Sequence, residues 1–140
     1  MRAESIELSF RISNLMAMAG WGALILFPKS PLTRKGVRTG GLSALFGLFY
    51  GVLFLFGDGY SLNNFQSLAG VHHLFQISEF LLAGWIHYLA FDLFVGGWIV
   101  TDAENRLLKH RYVIPSLILT FLFGPLGFVS YLVTRKALCK

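Results

Sequence analysis

Hydrophobic positions gather into four long runs, roughly Ile12 to Phe27, Val37 to Phe56, Glu79 to Val100 and Val113 to Val133, with polar stretches between them. A helix needs about 20 mostly apolar residues to cross about 30 Å of hydrocarbon, and only the first run is marginal by that measure. The pattern predicts an all-α integral membrane four-helix bundle, a single domain over residues 1–140, with both termini on one side.

Helix breakers mark the ends of the runs. Pro28 and Pro31 close the first, and Gly57, Asp58 and Gly59 close the second. Pro115 falls in the first turn of the fourth, where its missing N–H does no harm. Gly124, Pro125 and Gly127 lie inside that fourth run, so the expectation is a kinked fourth helix with a freed backbone carbonyl. The connection from Gly57 to Ser78 is long for a compact bundle. Phe65, Leu68, His72 and Phe75 recur within it at helical spacing, which predicts a short interfacial helix or a lid. Ser43, Gly47 and Gly51 form a small-residue ridge on the second run, suited to close contact inside the bundle or between chains.

Composition sharpens this picture. Of 140 residues, 55% are hydrophobic and 14% charged, whereas soluble domains carry nearer a quarter charged residues. The formal charge of +5 comes from Lys and Arg placed between the apolar runs or near the ends of the chain. That placement suits lipid head groups and gives no stripe for nucleic acid. Basic residues crowd the Lys29 to Arg38 and Arg106 to Arg111 loops and are absent from the Gly57 to Ser78 loop. Positive-inside bias then favours cytoplasmic basic loops and outward-facing termini. A cleaved signal peptide competes for the first run, but Glu4 and Glu7 precede it and the Ile25-Leu26-Phe27 end directly before Pro28 is no small-x-small cleavage site. Glu7 and Arg11 are spaced to pair at the entrance to that run. Cys139 is the only cysteine, which excludes an intrachain disulfide and a cysteine metal cage.

The third run holds the chemistry. Asp92 and His87 lie near its centre, where an ionisable side chain costs several kcal/mol unless it is paired, wetted or neutralised. At 100° per residue Trp85, Tyr88, Asp92 and Gly96 share roughly an 80° arc. His87 lies about 140° away from Asp92 on a regular helix, so a His–Asp dyad is disfavoured. The other runs carry no Lys or Arg near their middles. Asp92 is therefore expected to keep its proton and to act as a neutral acid, with Tyr88 as its nearest partner. A plainer reading has it bonded across the bundle to Asn14, Thr120 or the carbonyl freed by Pro125. His87 invites a haem or chlorophyll reading, yet no second histidine matches its depth and no three metal ligands share a spacing. A single axial ligand to chlorophyll and a packing histidine both stay open. Phosphate-cradling glycine loops, nucleophile elbows, His-Glu-x-x-His and dinucleotide fingerprints are absent. An enzyme built this way would use cofactor-free acid–base chemistry on an apolar substrate.

The string LLAGWIHYLAFDLFVGGWIVTDA from Leu81 to Ala103, with Pro115, LTFLFGPLG from Leu119 to Gly127 and Tyr131, resembles the small four-helix membrane proteins related to plant neoxanthin synthase, the abscisic-acid-deficiency protein 4-like family. The opening ISNLMAMAGWGALILFP, with Asn14 and Trp21, and LAGVHHLF before the third run are similar too. The resemblance implies a multi-pass protein of a bacterial inner or photosynthetic membrane, or of a thylakoid or plastid membrane. It implies a carotenoid as bound ligand and no required cofactor. The implied chemistry converts a xanthophyll 5,6-epoxide to an allene, as from violaxanthin to neoxanthin, without net redox change. Asp92 would be the acid, Tyr88 its assistant and His87 the base, with Trp85, Asn14, Trp21, Gly124 and Pro125 contacting the ligand. The competing reading is a non-catalytic subunit that binds a pigment or lipid and packs against other membrane subunits of a larger, for example photosynthetic, complex.

Overall fold

The computed structural model describes residues 3–139, and its regular structure there is entirely helical. Helix α1 runs Ala3–Leu26, followed by a π-helical segment Thr33–Arg38 and helix α2, Gly41–Phe56. A 3-10 turn at Leu62–Gln66 leads into α3, Leu68–Phe75, and then α4, Ser78–Asn105. Another 3-10 turn, His110–Tyr112, precedes α5, Ile114–Phe123, and α6, Pro125–Leu138.

Helix α4 is the axis of the bundle and touches each of the other five helices. Leu82, Ile86, Leu89 and Leu93 form one buried stripe, and Phe80, Ala83 and Ile99 are buried on other sides, as befits a helix covered on most sides. Gly96 permits the closest approach. A Cβ there would stand 2.7 Å from the Trp21 ring, so only glycine lets that indole lie on α4. At 28 residues, α4 is the one helix among the described residues long and apolar enough to cross a membrane. Gly41–Phe56 and the stretch His110–Phe123 are apolar but shorter.

The fourth apolar run departs from expectation. It forms two antiparallel helices, α5 and α6, and not a single kinked one. Ser116 Oγ and Ser130 Oγ are 3.1 Å apart, whereas fourteen residues of continuous helix would separate them by about 21 Å. Two local features turn the chain. Pro125 has no N–H to continue the α5 ladder, and Gly124 takes φ +36°, a conformation that disfavours any side chain. Small residues then let the arms close. A Cβ on Gly127 would fall 2.0 Å from the Thr120 nitrogen.

From the turn, α6 climbs beside α4 in the same direction. Trp98 meets the Phe128 ring at 5.6 Å and the Tyr131 ring at 5.8 Å. Further along, the Tyr131 hydroxyl donates to Asp102 Oδ2 at 2.6 Å and Arg135 to the same oxygen at 3.3 Å. Helix α1 also runs parallel to α4, since Phe10 packs on Trp85 and Trp21 on Gly96. The Ala3 and Leu138 ends therefore lie at opposite ends of the bundle, which corrects the expectation of both termini on one side.

Polar groups close one end. Glu104 bonds to Arg34 and Arg38, and Arg38 also donates to Thr101 Oγ1 at 3.1 Å and to the Pro28 carbonyl at 3.2 Å. At the other end, Ser61 and Ser67 cap the Leu62–Gln66 turn and α3. Helix α3 takes in Leu68, His72 and Phe75 of the spaced set, while Phe65 belongs to the preceding turn. Arg11 Nε donates to Glu7 Oε1 at 2.8 Å. Of the small-residue ridge, Ser43 Oγ is buried, while Gly47 and Gly51 face open space among the described residues.

Candidate functional site

Trp85, Tyr88 and Asp92 project from one face of α4 into a cavity of about 360 Å³. Asn14 and Trp21 of α1 close one side and Phe121 of α5 the other. The volume sits at the low end for small-molecule sites. Its walls are largely aromatic, with Trp21 and Phe121 edge to face at 5.6 Å. Trp85 is 40% exposed and Leu122 at the rim 52% exposed, so the cavity opens on the flank of the bundle.

The polar groups around Asp92 are committed elsewhere. Trp85 Nε1 donates to Asn14 Oδ1 at 2.9 Å. The Thr120 hydroxyl donates to the Ser116 carbonyl at 2.7 Å. The carbonyl freed by Pro125 is that of Phe121, and the Tyr88 hydroxyl donates to it at 3.0 Å. Each group expected to bind Asp92 across the bundle thus has another partner. Asp92 Oδ2 is buried with no hydrogen-bond partner. A native protein rarely leaves a buried polar atom in that condition without a reason. Tyr88 lies beside the carboxyl as well, and its hydroxyl can turn between the Phe121 carbonyl and Asp92.

The hairpin turn sets this geometry. A Cβ on Gly124 would stand 2.7 Å from Asp92 Oδ1 and 2.9 Å from Oδ2, so the carboxyl rests directly on the backbone of the turn. Pro125 is exposed and acts on the site only by freeing the Phe121 carbonyl. Non-helical backbone is tolerated at membrane depth only where protein buries it or a cavity adjoins it. Both conditions hold for Gly124, which is buried beside Asp92.

His87 is not part of the constellation. It is exposed on another face of α4, with its ring 5.6 Å from Tyr50 and 4.7 Å from Phe91. The structure therefore brings together Asp92, Tyr88, Trp85, Asn14, Trp21 and Gly124 and leaves His87 and Pro125 outside the cavity. Among the described residues no three His, Cys, Asp or Glu converge as metal ligands. Sequence reasoning missed Phe121, although its place four residues before Pro125 marks it as the owner of the freed carbonyl. Met18 and Leu122 at the rim carry no comparable signal.

Chemically, the arrangement offers one carboxyl with an unengaged oxygen inside an apolar, aromatic slot. It suits a flat apolar group that carries a single oxygen. A protein-family model described as ABA DEFICIENT 4-like matches residues 8–131. No curated protein and no solved structure matches the chain.

Proposed function

Because the chain belongs to the ABA DEFICIENT 4-like family, we propose that it is a multi-pass membrane protein that takes the ring end of a carotenoid into the Asp92 cavity and isomerises a xanthophyll epoxide there. Family membership supports the carotenoid theme, and α4 supports the membrane. The observation that carries the reading is the buried, unpartnered Asp92 Oδ2 in the aromatic slot.

The reaction implied by the family needs a proton delivered to an epoxide oxygen and another removed from the neighbouring vinylic carbon. With His87 on a different face, no second carboxylate and no histidine among the described residues lines the cavity, and one carboxyl can perform both transfers. Asp92 gives its proton to the epoxide oxygen as the carbon–oxygen bond next to the polyene breaks, and that oxygen remains as a hydroxyl. The resulting carboxylate takes the vinylic proton, and the electrons of that C–H bond become the new double bond of the allene. The side chain ends protonated, as it began, with no redox change. Tyr88 orients the carboxyl, and Trp21, Trp85 and Phe121 hold the ring.

Incubation of the purified chain with violaxanthin tests turnover, and pigment extraction after expression in a carotenoid-producing host tests binding. Asp92→Asn keeps the shape and removes the acid. It is expected to retain pigment and lower turnover by about 100-fold or more, the usual scale for a general acid. Equal product yield from both proteins would remove Asp92 as the acid. The second reading, a non-catalytic pigment- or lipid-binding subunit, is favoured by the outward-facing Gly47 and Gly51. Stoichiometric copurification of other membrane chains without turnover would establish it.

A further inference from the structure

A second cavity, of about 420 Å³, opens at the polar end of the bundle, between the α1–α2 and α4–α5 connections. Lys29, Arg38, Lys109 and His110 border it together with the Glu104 carboxylate. Three of these groups are already engaged. Glu104 is bonded to Arg34 and Arg38. The His110 Nε2 lies 3.0 Å from the Ile25 carbonyl at the end of α1, where it serves as a C-terminal cap. Lys29 and Lys109, by contrast, make no ion pair among the described residues, and both are exposed. Two loops far apart in sequence thus bring two ammonium groups to one cavity, and the carboxylate that borders it, Glu104, is held by Arg34 and Arg38.

The rest of the cavity is apolar, with Val100 and Leu108 in its wall. At its mouth Leu107 holds φ +58°, a left-handed conformation unusual for a branched apolar residue. The Leu107 N–H bonds to the Glu104 carbonyl at 3.0 Å and the Leu108 N–H to the Ala103 carbonyl at 2.9 Å, which fixes the turn. The Leu107 side chain is left 91% exposed, and Phe27, next to Lys29's loop, is 65% exposed. An exposed Leu107 at the mouth of a cavity bordered by lysines without ion pairs matches an amphiphile with an anionic head. Inorganic phosphate would satisfy the lysines and leave Leu107 in water.

We infer that this cavity binds the phosphate group of an anionic lipid, with Lys29 and Lys109 as its charge partners and Leu107 against its acyl chains. The site is separate from the Asp92 cavity and does not depend on the reaction assigned there.

Native mass spectrometry of the full chain in neutral detergent, titrated with phosphatidylglycerol, phosphatidylcholine or inorganic phosphate, tests it. The wild type should retain phosphatidylglycerol at lower concentrations than phosphatidylcholine. The Lys29→Gln/Lys109→Gln double variant should weaken that adduct by about 25-fold, at about fivefold for each lysine beside an anionic lipid. A Lys35→Gln/Arg111→Gln variant removes the same charge outside the cavity and should keep most of the preference. Helical circular dichroism confirms that both variants fold. No preference for phosphatidylglycerol, or an equal loss in both variants, would overturn the inference. So would displacement of the lipid by inorganic phosphate alone, which would assign the cavity to the free ion.

Discussion

At the scale of single residues, Asp92 and Gly124 are coupled by contact. A methyl group on Gly124 would press on both carboxyl oxygens and sit on a backbone of positive φ. Gly124→Ala is therefore expected to destabilise the chain by about 1–3 kcal/mol, read as a lower midpoint of thermal unfolding in detergent. An unchanged midpoint would mean that the turn does not constrain the carboxyl. Asn14→Leu should free the Trp85 indole at a cost of about 1 kcal/mol and shift its emission, while Trp21 stays buried. The face that carries Trp85, Tyr88 and Asp92 was legible in the sequence because helical periodicity alone fixes it. The partners of those residues were not. Asn14 reads equally well as a ligand for Asp92 or for Trp85, and only the packing of α1 on α4 chooses Trp85. His87 needed no such information, since its angular offset from Asp92 already separates the two.

At the scale of elements, the α5–α6 hairpin is the feature that local pattern concealed. A kinked helix and a reversed one have the same apolar periodicity, the same Gly-Pro break and the same small residues. What distinguishes them is contact between positions distant along the run, such as Ser116 with Ser130 and Thr120 with Gly127. A Ser116→Cys/Ser130→Cys pair in a Cys139→Ser background should cross-link under mild oxidant, seen as a linked peptide after proteolysis. A continuous fourth helix would hold those positions about 21 Å apart and give no link. Gly127→Leu should open the hairpin and abolish the cross-link in the same background. The start of α4 was read within a residue, by contrast, because a long apolar run with an acidic first turn leaves little choice.

At the scale of the whole molecule, reversal of α6 regroups the charges. Arg135 and Lys136 join the basic loops at Lys29–Arg38 and Arg106–Arg111, so positive-inside bias predicts that this end, with Cys139, would face the cytoplasm of a bacterial host. A membrane-impermeant maleimide should accordingly reach Cys139 only in inverted vesicles. Ser61→Cys, in a Cys139→Ser background, should label from the opposite side. Labelling of both positions from one side would rule out the hairpin topology. The short arms also bear on how the chain enters a bilayer. At 10 and 14 residues, α5 and α6 measure about 15 and 21 Å, and neither crosses the hydrocarbon alone. A translocon that releases segments one by one has nothing stable to release here until both arms are made and α4 is in place to receive them. Chain made only as far as Phe123 should therefore leave α5 open to protease at the membrane surface, whereas chain that includes α6 should protect both arms.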